Sequence, residues 1–388
     1  MTQTHIAFSQ TVDSARAGAE LGRSIRGAFA GAPAHAVVVF ASAVHDYPKL
    51  LEALAEHAGT RVIAGASSAG EFTDKDRGEG RVSALAIRSP EMKFSVGLGQ
   101  GVGTDPADAA RQTVEAFAGI QDAGYAYRNA LVMTDALAGH ADALVEQLTV
   151  RTGGNYRFFG GGAGDDGRFQ TTHVFVGTRA YTNAVAALEI LSRKPVGIGV
   201  AHGWEPAGEG LRVTEARGAQ LVSLNGAPAV EAFEAHARQS GQKFDRKDPL
   251  PFFLHNVIGI RGDGPHRLRV PLAVAADGSV MCAANVPEGT IVHFMKTSNA
   301  SAVQAARHAT QAAIDALAGE TPAAALVFDC VATRLRMGRE FEDELQACAN
   351  LLAPAGFVGC NTYGQIARAE GQFSGFHNCT AVVCVLPS

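Results

Sequence analysis

At 388 residues the chain exceeds the roughly 250 to 300 residues at which a single hydrophobic core stops growing, so two or more domains are expected. Hydrophobic residues make up 47% and charged residues 18%, the formal net charge is -5, and no run of lysine or arginine occurs. That balance excludes nucleic acid and anionic membrane as favoured partners.

The N-terminal stretch MTQTHIAFSQTVDSARAGAELGRS has no basic region followed by an apolar run, and no segment approaches the ~18 apolar residues of a membrane span. A cytoplasmic protein without membrane insertion is expected. The six cysteines, Cys282, Cys330, Cys348, Cys360, Cys379 and Cys384, all follow residue 281 and form no C-x-x-C. Buried reduced thiols are therefore expected rather than disulfides or a zinc site.

In chain order, residues 1–35 read as an N-terminal helical lead, with Leu21, Ile25 and Phe29 spaced four apart. From Ala36, VVVF reads as a strand buried on both faces, YPKLLEALAEHAG as a helix and RVIAG as a second strand. This β-α-β unit implies a parallel pair in a layered α/β sheet and ends in GASSAGEF, Gly65 to Phe72. The same grammar recurs twice. ALVMT, HADALVEQL and YRFFG lead to GAGDDGRF, Gly162 to Phe169; ALVFD, REFEDELQACANLL and GFVG lead to GCNTYGQI, Gly359 to Ile366. In each copy a glycine stands five residues before another, which is followed by Glu, Arg or Gln and then Phe or Ile.

Strand, strand and helix follow at 82–119 and again at 280–319, where Val303, Ala306, Thr310, Ile314 and Leu317 share a helix face. Leu211 to Phe233 reads as two strands, an Asn225-Gly226 turn and a helix opened by Pro228. Ser240 to Pro251 is polar, and PFFLHNVIGI then begins as an apolar strand. The expected architecture is α/β: two related layered domains with mixed sheets and repeated β-α-β-turn-β units, at 36–235 and 236–388.

The chemistry-bearing residues gather at the turns. Glycine there permits positive φ and close approach, which serves strand corners and ligand cradles alike. Ser67, Ser68, Glu71, Cys360, Asn361, Tyr363 and Gln365 bring hydroxyls, amides, a thiol and a carboxylate to those corners, and ligands favour strand ends in α/β sheets. His377, Asn378 and Thr380 form a polar lip before the last strand, where the imidazole either serves a ligand, a metal or proton transfer, or satisfies loop carbonyls. His255 lies in apolar FFLHNV. It is a core histidine or, with Phe252 and Phe253 as walls, an axial ligand for haem, as His377 also is. GLGQGVGTDPADAA satisfies neither G-x-G-x-x-G nor the phosphate-loop pattern. Asp135 and Asp329, near the ends of equivalent strands, read as caps or as paired acids. No G-x-S-x-G or H-E-x-x-H motif is present.

Taken together, GASSAGEF, GGGAGDDGRF, VTEARGAQLVSLNGAPAVEAF, GCNTYGQI and FHNCTAVVCV resemble the FIST proteins, bacterial sensory proteins built of an N-terminal and a C-terminal FIST domain. The resemblance runs from about Ala36 to the end and is specific in the order of its motifs. It implies a cytoplasmic signal-transduction protein that senses small ligands such as amino acids. One branch of the family comprises haem-bound nitric-oxide sensors acting on histidine kinases or cyclic-di-GMP enzymes. With no output domain visible, such a partner is expected in trans, and a homo-oligomer is compatible with this. The family's glycines fall on Gly65, Gly70, Gly359 and Gly364, its acidic turn residue on Glu71 and its HN-x-T on His377, Asn378 and Thr380. Gln365 stands where the family usually shows Glu, and the resemblance supplies no haem ligand. The alternatives are a hydrolase or transferase using Cys360 or Cys379 with His377, and a scaffold without a ligand.

Overall fold

The computed structural model describes residues 1–120, 122, 124–262, 264–368 and 374–388. Three units share one order of elements. The first contains β1 (Gln3–Ser9), α1 (Ser14–Ala28), β2 (Ala36–Ala41), α2 (Tyr47–Ala58), β3 (Ile63–Ser67), the short β4 (Glu71–Thr73) and β5 (Arg77–Gly78), and β6 (Val82–Arg88). The second repeats this with β7 (Met92–Gln100), α3 (Pro106–Glu115), β8 (Tyr127–Thr134), α4 (Ala141–Arg151), β9 (Arg157–Gly162), β10 (Val174–Val176), β11 (Arg179–Tyr181) and β12 (Ala184–Ser192).

The third unit begins with β13 (Gly197–Ala201) and is then interrupted by an insertion: β14 (Glu205–Pro206), β15 (Leu211–Arg217), β16 (Gln220–Leu224), β17 (Ala227–Pro228), α5 (Ala229–Ser240), α6 (Leu250–Phe253), β18 (Val257–Ile260), β19 (Arg267–Arg269), β20 (Pro271–Val274), β21 (Val280–Cys282) and β22 (Ile291–Lys296). It resumes with α7 (Asn299–Asp315), β23 (Pro322–Cys330), α8 (Val331–Met337), α9 (Phe341–Leu352), β24 (Phe357–Thr362), β25 (Gln365–Arg368), β26 (Ser374–His377) and β27 (Ala381–Pro387). The layered α/β architecture with mixed sheets and repeated β-α-β-turn-β units is thus the one expected.

The local reasons are ordinary ones. All six residues of β2 are buried, as an apolar β-branched run between two layers requires. Asp46 caps α2 by accepting the Lys49 N–H, Pro48 sits in its first turn, and Gly59 closes it in the left-handed conformation. Each unit's central strands, β2 and β3, β8 and β9, and β23 and β24, pair in parallel across their helix. At one shared position glycine is obligatory: a Cβ on Gly65, Gly160 or Gly359 would lie 1.8, 2.1 and 2.1 Å from the carbonyl oxygens of Val39, Val132 and Val327.

The units interlock by passing strands around a ring. The β10-β11 hairpin of the second completes the first sheet beside β3, β25 and β26 of the third complete the second sheet beside β9, and β4 and β5 of the first complete the third sheet beside β24. Inner faces of these three sheets share one core, with Phe40, Leu131, Phe159, Phe328 and Val358 among its members. Helix pairs α1/α2, α3/α4 and α7/α9 cover the outer faces.

Several expectations are revised. Residues 1–35 are not only a helical lead: β1 pairs with β6 in the first sheet, and α1 packs on α2. The second copy of the glycine turn is set two residues earlier than the Gly162-x4-Gly167 spacing implies, at Gly160. Val132, opposite Gly160, corresponds to Val39 opposite Gly65, and the strand registers make Phe175, not Phe169, the counterpart of Phe72 and Ile366. The second turn, 163–173, is longer than the other two, so its Gly162-x4-Gly167 spacing matches them by coincidence. LPFF forms the short helix α6 and a turn follows, so the strand β18 begins only at Val257. On α7 the deeply buried stripe is Ala302, Ala305, Ala306, Ala309, Thr310 and Ala313, while Val303 and Ile314 lie at its margin. Residues 235 and 236 fall inside α5. The Asn225-Gly226 turn is present, with both residues at positive φ.

Candidate functional site

The three turns meet where the sheets exchange strands, joined by backbone hydrogen bonds around the ring. Gly164 and Asp166 donate to the Ser67 and Ser68 carbonyls at 2.9 and 3.0 Å. Tyr363 donates to Gly162 O at 3.0 Å and Gly162 to Gly364 O at 2.8 Å. Ala69 donates to Asn361 O at 2.9 Å and Asn361 to Gly70 O at 2.8 Å. Two residues beyond the obligatory glycine, the repeat places Ser67, Gly162 and Asn361 at equivalent corners, and their side chains fare differently. Ser67 Oγ accepts the His173 N–H at 2.8 Å and donates to His173 O at 3.2 Å. Gly162 has no side chain to place. Asn361 is 1% exposed, and its Nδ2 has no hydrogen-bond partner.

Asn361 faces a cleft of about 530 Å³. One wall is Gly70 to Glu79 of the first unit; the other is Arg334, Leu335, Arg339 and Phe341 of the third. Gly70, at φ +135°, lets the two walls converge: a Cβ there would stand 3.0 Å from Asn361 Oδ1 and 3.2 Å from Arg334 Nη1. Arg334 pairs through Nη1 with Glu79 Oε1 at 2.7 Å, while its Nε is buried without a partner. Buried N–H donors left unsatisfied cost about 1–3 kcal/mol each, and two of the residues that line the cleft, Arg334 and Asn361, each carry one.

Glu71 forms part of the cleft floor. Its carboxyl accepts the Ser68 hydroxyl and the Arg81 N–H, the latter at 3.1 Å, and burial pushes its pKa up to about 8. Gln365 occupies the equivalent place in the third unit. It donates to Thr362 Oγ1 at 2.8 Å and accepts the Thr380 N–H at 3.3 Å. The amide therefore fills the same bridging role without charge. Tyr363 does not face the cleft; its hydroxyl donates to Asp165 and its ring stacks on Phe169, with centroids 4.2 Å apart. Burial works to raise the Asp165 pKa, but that hydroxyl and the N–H groups of Phe169, Gln170 and Thr171 hold it below the ordinary value.

The lip before the last strand is buried throughout. His377, Asn378 and Thr380 are 2%, 1% and 1% exposed. Asn378 Oδ1 accepts the Val270 N–H of the insertion, and Thr380 Oγ1 donates to Asn378 O at 2.8 Å. Burial and the charges of Arg269, Arg267 and His202 hold the His377 pKa well below the usual histidine value. Cys360 and Cys379 are buried, and their thiols are pushed well above the ordinary range, Cys360 by burial and Cys379 first by its hydrogen bond with Cys330. Such thiols do not form the thiolate a nucleophile needs. All six cysteines are free and buried, in line with the expectation of reduced thiols.

The haem reading fits poorly with these residues. His255 is exposed, whereas Phe252 and Phe253 are buried in the insertion's core against Phe233 and Phe294, so ring and walls share no cavity. His377 sits in close-packed surroundings. No group of three or more metal-ligating side chains occurs among the described residues. Asp135 and Asp329 do not pair: Asp135 caps the following turn and braces Thr172 and Asn183, and Asp329 accepts the Cys330 N–H.

Of the residues singled out in the sequence, the structure brings Glu71 and Asn361 to the cleft and Ser68 just behind Glu71. Ser67, Cys360, Tyr363, Gln365, His377, Asn378 and Thr380 lie elsewhere, in packed surroundings. Arg77, Arg334 and Arg339 went unnoticed because nothing local distinguishes them from solvated arginines; only the β-strand exchange brings Arg334 to Gly70. No helix among the described residues is long and apolar enough to cross a membrane. Among curated protein sequences none matches. A solved cyanuric acid hydrolase from A. caulinodans aligns over 100% of both chains at 9% identity with a TM-score of 0.37, too low to carry an argument. The FIST N domain matches residues 35–227 and the FIST C domain residues 229–368, and the chain belongs to the FIST family, whose domains serve sensory signal transduction and small-ligand binding.

Proposed function

We propose that this protein is a cytoplasmic sensor that binds a small ligand in the cleft between Gly70–Glu79 and Arg334–Phe341 and signals to a separate partner, a histidine kinase or a cyclic-di-GMP enzyme. The supporting observation is the cleft's composition. One wall lies in the FIST N match and the other in the FIST C match, and the residues that line it include the buried Asn361, whose amide nitrogen has no partner. A ligand touching both walls binds the interlocked state better than any state in which β4 and β5 have shifted. That differential affinity is what lets occupancy be read at a distance.

The test is a thermal-shift panel of small metabolites on the full chain and on L335W. Leu335 is 47% exposed on the cleft rim, so tryptophan there fills the cleft at little cost to the fold. At least one compound is expected to raise the melting temperature of the wild type and not of L335W. A panel without any such compound, or stabilisation that persists in L335W, overturns the assignment.

A further inference from the structure

We infer that the ligand of this cleft carries a small oxyanion, a carboxylate or a phosphate, which sits between Arg334 and the Asn361 amide in competition with the side chain of Glu79. The inference rests on the cleft being the ligand site. Asn361 Nδ2 and Arg334 Nε are both buried and both without a partner, and both residues line the cleft. Donors without acceptors are matched by a group that only accepts. A carboxylate or phosphate offers two or more oxygens in the spacing that a guanidinium edge takes up side-on.

The structure already contains half of such a complex. Glu79 presents a carboxylate to Arg334 at 2.7 Å from a side chain that is 62% exposed, while the arginine side chain is 20% exposed. An exposed carboxylate held by one ion pair is a weak partner, and an incoming anion that also engages Nε and the amide displaces it. Arg339 adds positive charge at the rim, where Arg77 is paired with Glu342. Glu71, protonated below a pKa of about 8, adds no fixed negative charge to the floor at neutral pH. Phe72, Phe341 and Leu335 supply an apolar wall, which suits a short carbon body behind the anion.

The experiment is calorimetric titration of the full chain with sodium phosphate, sodium acetate and sodium succinate, on wild type, E79Q and R334Q. Saturable one-site binding is expected for at least one of the three salts. E79Q removes the competitor and is expected to tighten binding roughly two- to fivefold. R334Q is expected to weaken it roughly tenfold or more. Binding by phosphate alone or by the carboxylates alone assigns the anion. Failure of all three salts to bind E79Q, whose exposed substitution leaves the fold intact, overturns the inference, as does an affinity that neither substitution changes. If a neutral or cationic compound stabilises wild type but not L335W while all three salts fail, the cleft stands and its oxyanion specificity falls. If nothing binds at all, both fall.

Discussion

Ser67 and Asn361 occupy the same corner of two repeated units, yet one is spent and the other is not. At Ser67 the long second turn folds back and closes the corner, giving its hydroxyl both a donor and an acceptor on His173. Asp166 reaches further, accepting the Ser42 hydroxyl at 2.8 Å and the Ala43 N–H at 3.0 Å. At Asn361 the corner is met instead by the short β4-β5 hairpin, which cannot reach across, and a cleft remains. Turn length, more than residue type, decides whether a polar corner becomes scaffold or site.

The scaffold side of this contrast is tested most severely at Arg269. Its side chain is 1% exposed and donates to Asp142 Oδ1 and Oδ2 at 3.0 and 2.9 Å, to Leu268 O and Phe376 O at 3.0 Å each, and to Asn285 O at 2.8 Å. It ties the insertion to the second and third units beside the polar lip. Arg269→Met strands a carboxylate and several carbonyls and is expected to cost about 3–5 kcal/mol in urea unfolding. A loss below ~1 kcal/mol would show that the lip is not scaffold.

Glu71 is expected to impose a pH dependence of the next size. Its pKa rises from 4.5 to about 8 on folding, so between those values the folded state holds a proton that the unfolded state has released. The stability from this group is complete below pH 4.5 and is lost as pH rises towards 8. At about 1.4 kcal/mol per unit, moderated by the protein's effective dielectric, roughly 2–4 kcal/mol is at stake. Glu71→Gln, which copies Gln365, is expected to flatten that slope relative to wild type; comparing the two cancels the opposite contribution of buried histidines such as His377. Parallel stability curves from pH 5 to 8 would refute a buried, protonated Glu71.

Gly364 and Gly167 contrast a closed corner with an open one. A Cβ on Gly364, at φ +109°, would lie 2.1 Å from Phe376 Cζ, whereas on Gly167, at φ +80°, it meets nothing within 4 Å. Gly364→Ala is expected to cost about 2–3 kcal/mol from strain and overpacking together. Gly167→Ala is expected to cost only ~1 kcal/mol, from strain alone. Equal losses would mean that the Phe376 ring yields to the added methyl group.

How much of this was legible in the sequence follows from the range of each signal. The apolar runs of β2, β8 and β23, the capped helices and the glycine corners are set by neighbours in the chain, and they were readable. The strand exchange was not, because β4, β10 and β25 are short segments whose partners lie in other units, and nothing in EFT, VFV or QIAR names a partner. The same holds for the site. Asn361 stood out because it sits in a glycine turn, but Arg334 acquires its meaning only when β4 pairs with β24. His377, Asn378 and Thr380 attracted attention as polar residues beside a strand; that they are scaffold depends on Val270 and Arg269 arriving from the insertion.

The smallest expected effect bears most directly on the two corners. Ser67→Ala removes a hydroxyl that both gives and receives a hydrogen bond inside the fold, and leaves the half-buried His173 N–H without its acceptor. A loss of about 1–2 kcal/mol is expected. Asn361→Ala removes a donor that the folded protein does not use, so the relief of that unsatisfied group offsets the lost packing, and the change is expected to stay under ~1 kcal/mol in either direction. Residues kept for a ligand are held at some expense to stability, so removing them is mild for the fold and severe for binding. Measured side by side in urea, a larger loss for Asn361→Ala than for Ser67→Ala would mean that the amide is a structural member after all and that the cleft lacks its buried donor.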